Sequence, residues 1–255
     1  MTAARQAERG VRVELAGVCK SYDGHPVLLG IDLVVEPGQV VAILGQSGTG
    51  KSVTLRQVIG LERPDAGRIV VGGIPIEQYV AMAPGEKPFR IAMVFQSAAL
   101  LASLTVAENV SLRLRELGTV PPREIAAVTH RVLEQVELAG TDDKYPTELS
   151  GGMRKRAAIA RALAVDPDLI LYDEPTADLD PILTEQMGKL IARIRDTRGS
   201  TQMFVTHNVP LARAISDRIA VLDGGRIAEY LTPEELPASR YPLTRELLRA
   251  AGLEH

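Results

Sequence analysis

Residues suited to phosphate chemistry occur at several points in this chain. Gly45-Gln46-Ser47-Gly48-Thr49-Gly50-Lys51-Ser52 satisfies G-x-x-x-x-G-K-[ST] between a strand-like run, Val40 to Leu44, and a helix-compatible run, Val53 to Gly60. Glycines let the backbone curl until successive N–H groups converge on phosphate oxygens, and the following helix aims the positive end of its dipole at them. Lys51 adds a point charge for the β and γ phosphates, and the Ser52 hydroxyl suits Mg2+. Without its flanking strand and helix, the same pattern would read as a glycine-rich surface turn.

A bound triphosphate needs a carboxylate for its metal. Leu169-Ile170-Leu171-Tyr172 is an apolar strand that ends in Asp173-Glu174, where Asp173 suits the Mg2+ shell and Glu174 can polarise an attacking water. Paired acids after a buried strand also serve as helix caps or solvated loop residues; the phosphate loop favours the metal reading. Gln96 directly follows Ile91 to Phe95, and His207 directly follows Met203 to Thr206. Ligands of open α/β sheets bind off the carboxyl ends of the strands, so these positions converge on one pocket. A lone histidine is usually an ordinary loop residue, and it is the position of His207 that makes it a candidate.

A second glycine-containing turn, Leu149-Ser150-Gly151-Gly152-Met153, precedes a helical register that continues to Val165. Ser150 can be read as a plain N-cap. Arg154, Lys155 and Arg156, however, place positive charge in the first turns, where the helix dipole disfavours it by about 0.3–1 kcal/mol each. That composition predicts a second anion-facing surface built from Ser150, Gly151 and Gly152.

These residues need a scaffold. Short β-branched runs predict strands near 11–18, 27–35, 40–44, 68–72, 91–95, 169–172, 202–206, 218–222 and 226–230, and helices fit 51–60, 105–117, 122–137, 151–165, 181–197, 209–215 and 242–250. The class is α/β, with an all-helical stretch, 97–166, inserted between sheet strands. The chain has 255 residues, 45% hydrophobic and 24% charged, enough for one large domain with a sizeable core. No apolar run approaches the roughly 18 residues of a membrane span. The opening MTAARQAERG lacks a signal-like apolar region, and the single cysteine, Cys19, forms no internal disulfide, so a cytoplasmic location is expected. A net charge of −3 argues against nucleic acid as a partner. Leu253-Glu254-His255 reads as a tag remnant.

LSGGM before a basic helix, with the phosphate loop upstream and LILYDEPTADLDP downstream, resembles the ATP-binding subunit of ABC (ATP-binding cassette) transporters over residues 11–235. The resemblance implies a P-loop NTPase of ABC ATPase type, with a RecA-like core, an antiparallel β subdomain and an inserted helical subdomain. It also implies ATP and Mg2+ as ligands and a head-to-tail homodimer in which the LSGG segment of one chain closes over the γ-phosphate held by the other. Carried over by position, Tyr22 stacks on adenine, Gln96 senses Mg2+ and couples to transmembrane permease subunits, Asp180 bridges the two chains and His207 contacts the γ-phosphate. Asn208 departs from the acid usual after that histidine.

The stretch from Gln96 to Val110, and Val209-Pro210 after His207, resemble ATPases of the Mla/Mce-type lipid-trafficking systems. That implies phospholipid or another lipid as cargo, a peripheral position on the cytoplasmic face of the inner membrane, and a lipid-binding Mce-type subunit across it. Ala98 to Leu101 fall where a permease inserts its coupling helix, or they are plain core. An importer of amino acids, metal ions or another small solute is the alternative. DNA-repair and chromosome ATPases of related architecture carry a long coiled coil or zinc insert between the phosphate loop and the acid pair, and the interval from Lys51 to Asp173 has room only for a short helical insert. Ribosome-associated ATPases carry two cassettes, and one is present here. Residues 236–255 are expected to form a short tail whose helix sets Leu243, Leu247 and Leu248 on one side.

Overall fold

The computed structural model describes residues 9–118 and 120–253; most of the N-terminal stretch, and Glu254-His255 of the expected tag remnant, lie outside it. Among the described residues, ten strands form two sheets. In the six-stranded sheet the order is β10 (Arg226–Leu231), β9 (Arg218–Asp223), β3 (Val40–Leu44), β8 (Thr201–Thr206), β7 (Leu169–Asp173), β6 (Ile91–Val94), parallel except for the β9–β10 hairpin at one edge. The four-stranded sheet is antiparallel, ordered β2 (His25–Val35), β1 (Val13–Tyr22), β4 (Ala66–Val71), β5 (Ile74–Pro75). This is the mixed α/β architecture expected of an ABC-type ATPase.

The period of a strand explains how one sheet serves two cores, because alternate side chains point to opposite faces. Val40, Ala42 and Leu44 of β3 join Ile170, Tyr172, Phe204 and Val221 on one face. Val41 and Ile43 join Leu169, Leu171, Met203 and Val205 on the other, and there they meet Val13, Leu15, Ile31 and Ile69 of the antiparallel sheet. Helix α1 (Lys51–Val58) fills the second core with Val53, Leu55 and Val58. Strands buried on both faces read as continuous apolar runs, and VVAIL and LILYD are such runs.

Between β6 and β7 the chain builds α3 (Val106–Leu117), α4 (Pro122–Gln135) and α5 (Gly151–Ala164). Helix α3 opens with a reciprocal cap: Thr105 Oγ1 accepts from the Glu108 amide at 3.2 Å, and the Thr105 amide donates to Glu108 Oε2 at 2.8 Å. Helix α6 (Pro181–Arg198) starts on Asp180, whose Oδ1 accepts from the Leu183 amide at 2.9 Å, and α7 (Val209–Ile215) starts on Asn208, whose Oδ1 accepts from the Leu211 amide at 2.8 Å. An asparagine therefore supplies the cap that an aspartate would supply at that position.

Two pieces of local structure depart from the sequence expectation. Strand β1 continues to Tyr22, because register shifts between Leu15 and Cys19 break the alternation without ending the strand. Strand β5 and the short helix α2 (Ile76–Ala81) were not expected, since each is too short to establish a period. The tail helix α8 (Pro242–Ala250) buries Leu243 and Leu248 against its own chain, Thr244 Oγ1 donates to Glu229 Oε2 at 2.5 Å, and Gln46 Nε2 donates to Glu246 Oε1 at 3.2 Å. Leu253 packs on the same core, with its amide donating to Leu248 O at 2.9 Å, so it continues the folded tail rather than trailing from it. Among the described residues no helix is long and apolar enough to cross a membrane.

Candidate nucleotide site

The phosphate loop is shaped by close approaches that only glycine allows. A Cβ on Gly45 would lie 2.6 Å from Leu222 O, and Gly50, at φ 100°, would drive one to 2.6 Å from Leu28. Gly50 is also the N-cap of α1 and offers no side-chain acceptor, so the first amides of this helix have no side-chain cap. Lys51 is only 6% exposed. Its Nζ donates to Gly45 O and Gln46 O, both at 2.9 Å, and lies 3.7 Å from Glu174 Oε1. Burial lowers the Lys51 pKa, opposed by the charges of Glu174 and Asp173.

Asp173 ends β7 and Ser52 lies in the first turn of α1, and their side chains meet, with Ser52 Oγ donating to Asp173 Oδ1 at 2.6 Å. This pair of hard oxygen donors fits Mg2+, which takes one or two protein ligands and completes its shell with phosphate and water. Among the described residues no group of three or more His, Cys, Asp or Glu could hold a metal by itself, and Mg2+ beside a triphosphate needs no such group. Glu174 is held in the left-handed region at φ 45°, a costly conformation for a non-glycine residue. His207 Nδ1 lies 3.1 Å from Glu174 Oε2, yet that oxygen receives no directional hydrogen bond. The ring is within reach of the carboxylate without being committed to it.

Tyr22 stands at the end of β1, 39% exposed, with its hydroxyl bonded to Glu62, which Arg56 Nε grips at 2.6 Å. Burial and the Glu62 carboxylate raise its pKa. A cleft of about 410 Å³ collects Tyr22, Ser47, Gly48, Gly50, Lys51 and Ser52 together with Gln96, Glu174 and His207. Gly45, Gln46 and Thr49 complete the loop, and Thr49 Oγ1 donates to Gln46 O at 2.9 Å. Val27 and Ala177 also line the cleft, and nothing in their residue types marked them beforehand. A larger cavity of about 810 Å³ lies between α3 and α4, but its wall carries none of the phosphate-binding or metal-binding candidates.

Ser150, Gly151, Gly152 and Asp180 are not on the wall of the nucleotide cleft. They form a separate face: a Cβ on Gly152 would sit 3.4 Å from Leu183, which sets the start of α5 against the first turn of α6. Ser150, Gly151 and Asp180 are exposed there beside Ile182, which is 71% exposed. Ser150 Oγ accepts from the Met153 amide at 3.3 Å.

The cations that follow Ser150 require a correction. Arg154 Nη1 donates to Leu149 O at 2.6 Å, and Arg156 engages Glu137 and donates to Gln186 Oε1 at 3.0 Å. Lys155, 9% exposed, turns inward to Gln96 O at 3.2 Å. Lys155 therefore does not reach the face at Ser150, while Arg154 remains exposed beside it. A helix wheel would have found this, because Lys155 falls on the buried face with Ala158, Ile159 and Ala162.

The family model for ABC transporters matches residues 28–177. The chain is 42% identical over 227 residues to the methionine import ATP-binding protein MetN of Caulobacter vibrioides, covering 87% of this chain and 68% of that protein. It is 38% identical over 239 residues to the probable ribonucleotide transport ATP-binding protein mkl of Mycobacterium leprae, covering 94% of this chain and 69% of that protein. Among solved structures, the dimeric post-hydrolysis state of the ATP-binding cassette MJ0796 bound to ADP and Pi superposes with a TM-score of 0.77 at 31% identity, covering 87% of this chain and 98% of that one.

Proposed function

The chain belongs to the ABC transporter ATP-binding family and is an ATPase that uses ATP with Mg2+; from that premise we propose that two copies pair head to tail and drive transport through membrane permease subunits. The observation that carries this reading is the separation of the site residues. Tyr22, Lys51, Ser52, Gln96, Glu174 and His207 line one cleft, while Ser150, Gly151 and Asp180 are exposed elsewhere, with Gly152 buried beneath them. A partner's Ser150 face closing over the cleft completes each site, and Ile182 gives that contact an apolar element. The dimeric arrangement of the MJ0796 cassette supports the pairing.

In the proposed mechanism, backbone amides from Gly45 to Gly50 and the ammonium of Lys51 hold the phosphates, and Tyr22 stacks on the base. Ser52 and Asp173, with Gln96 beside them on the cleft wall, would hold Mg2+, which when bound would neutralise charge on the phosphoryl oxygens. Glu174 polarises the attacking water, and His207 contacts the γ-phosphate from beside Glu174. The protein does little covalent chemistry, since phosphoryl transfer is promoted by positioning and charge. We read residues 11–235 as the ATPase unit, with 97–166 as its helical subdomain. The groove of about 660 Å³ between α2, β6, α3 and α5, walled by Val80, Phe89, Ala99 and Leu117, is the proposed seat of the permease at the cytoplasmic face of the inner membrane.

For cargo, the stretch from Gln96 to Val110 supports a lipid, with an Mce-type subunit across the membrane. The name of the Caulobacter vibrioides relative, a methionine importer, favours the second reading, a small solute. Purifying the membrane complex and identifying the bound ligand by mass spectrometry separates the two. Glu174→Gln tests the engine: ATP binding is retained, turnover falls about 10²–10⁴-fold as expected for loss of a general base, and closed dimers accumulate. Rapid steady-state hydrolysis by this variant removes Glu174 from its role.

A further inference from the structure

Helix α5 begins at the Ser150 face, and two of its cations point back into the chain at the turn that follows β6. Arg161 Nη1 donates to Ala99 O at 2.6 Å, and Nη2 donates to Ala98 O at 2.9 Å. Lys155 Nζ donates to Gln96 O at 3.2 Å and to Glu174 O at 3.5 Å. Neither cation makes a carboxylate ion pair among the described residues. Burial lowers the pKa of both, for Lys155 against the charges of Asp178 and Glu174. Burying a charge is costly unless it is fully hydrogen-bonded, so two inward cations satisfied mainly by carbonyls commit α5 to this contact.

The turn they hold is itself strained. Ala98 and Ala99 have φ of 63° and 48°, a left-handed region that non-glycine residues rarely adopt, and here two alanines adopt it in succession. The Ala98 amide donates to Phe95 O at 3.0 Å, which leaves the Ala98 and Ala99 carbonyls turned toward Arg161. Such strain persists only where the surroundings over-determine it. Ala99 and Arg161 also line the groove of about 660 Å³, so this latch faces whatever occupies the groove.

We infer that Arg161 and Lys155 are positioning residues: Arg161 latches the strained Ala98–Ala99 turn, Lys155 ties Gln96 and Glu174 to α5, and the position of α5 thereby sets the alignment of both site residues. The inference rests on the ATPase reading for its consequence and on the latch geometry for its structure, and the tests separate the two. In the full-length chain, Arg161→Gln lowers kcat about tenfold and leaves the KM for ATP within about twofold, because the phosphate loop is untouched. Arg161→Lys is intermediate, since one ammonium cannot fork across two carbonyls.

The decisive arm is a double-mutant cycle. Ala98→Gly with Ala99→Gly relieves the left-handed strain, and in the Arg161→Gln background it raises kcat about threefold or more relative to its effect in the wild type. A merely structural arginine gives a loss that the glycines do not relieve. Hydrogen exchange of the 95–101 segment is faster in Arg161→Gln than in wild type, a readout that does not depend on turnover, and thermal melts confirm that each variant is folded. Should Arg161→Gln fail to fold, Arg161→Lys carries the same cycle. Unchanged exchange, full kcat in the arginine variant, or additive behaviour of the glycines overturns the latch. A wild-type chain that hydrolyses no ATP under any condition overturns the ATPase reading and leaves the exchange result to decide the latch.

Discussion

Two helices of this molecule begin in glycine-containing turns, and their beginnings are built oppositely. Helix α1 opens at Gly50 without a side-chain cap, with Lys51 buried beneath it and Ser52 bonded to Asp173. Helix α5 opens at Ser150 with its hydroxyl already accepting a backbone amide, and the cations that follow it are engaged by their own chain. The first turn has charge, metal donors and an acid within reach; the second has an exposed face and no machinery. In the proposed pairing, one N-terminus is the receptor and the other is the lid that a second copy brings to it.

The largest effect expected from this asymmetry is at Lys51. Lys51→Ala removes a buried charge aimed at the phosphates and weakens ATP binding by about two orders of magnitude or more, read by fluorescent-nucleotide titration; unchanged affinity would falsify the loop assignment. Ser150→Arg acts at the other terminus: each isolated chain binds ATP within about twofold of wild type, yet light scattering detects no ATP-driven dimer. A normal dimer would show that the α5 start is not part of the contact. Smaller again is Tyr22→Ala, which loses stacking worth about 1–3 kcal/mol per base. It raises the KM for ATP about tenfold, and Tyr22→Phe, which keeps the ring, raises it less. An equal loss in both would move the role from the ring to the hydroxyl and Glu62. The smallest effect is on stability: Asn208→Ala costs about 1 kcal/mol in denaturant melts through the lost α7 cap, and Asn208→Asp is near neutral.

The two termini were not equally legible in the sequence. The phosphate loop could be placed because its glycines, lysine and serine each perform a local task, and local tasks leave local patterns. The ends of β6, β7 and β8 were equally plain, since buried parallel strands read as apolar runs with polar residues just beyond them. Of the cations after Ser150, Lys155 was misplaced, because the helix dipole argument treats every side chain as facing solvent, whereas Lys155 lies on the buried face of α5. Arg161 gave no signal at all, as its partners are carbonyls of Ala98 and Ala99, brought near only by the tertiary fold. Strand β1 was cut short at its bulge, which hid the fact that Tyr22 is a strand residue anchored to Glu62.

The central claim is that neither chain contains a whole hydrolytic site. It is tested most directly by measuring ATP turnover per chain across a dilution series, with the oligomeric state read on the same samples by light scattering. The account predicts that turnover per chain rises with concentration, in step with the ATP-bound dimer, and fades where the samples are monomeric. A rate per chain that stays constant into the monomeric range would contradict it.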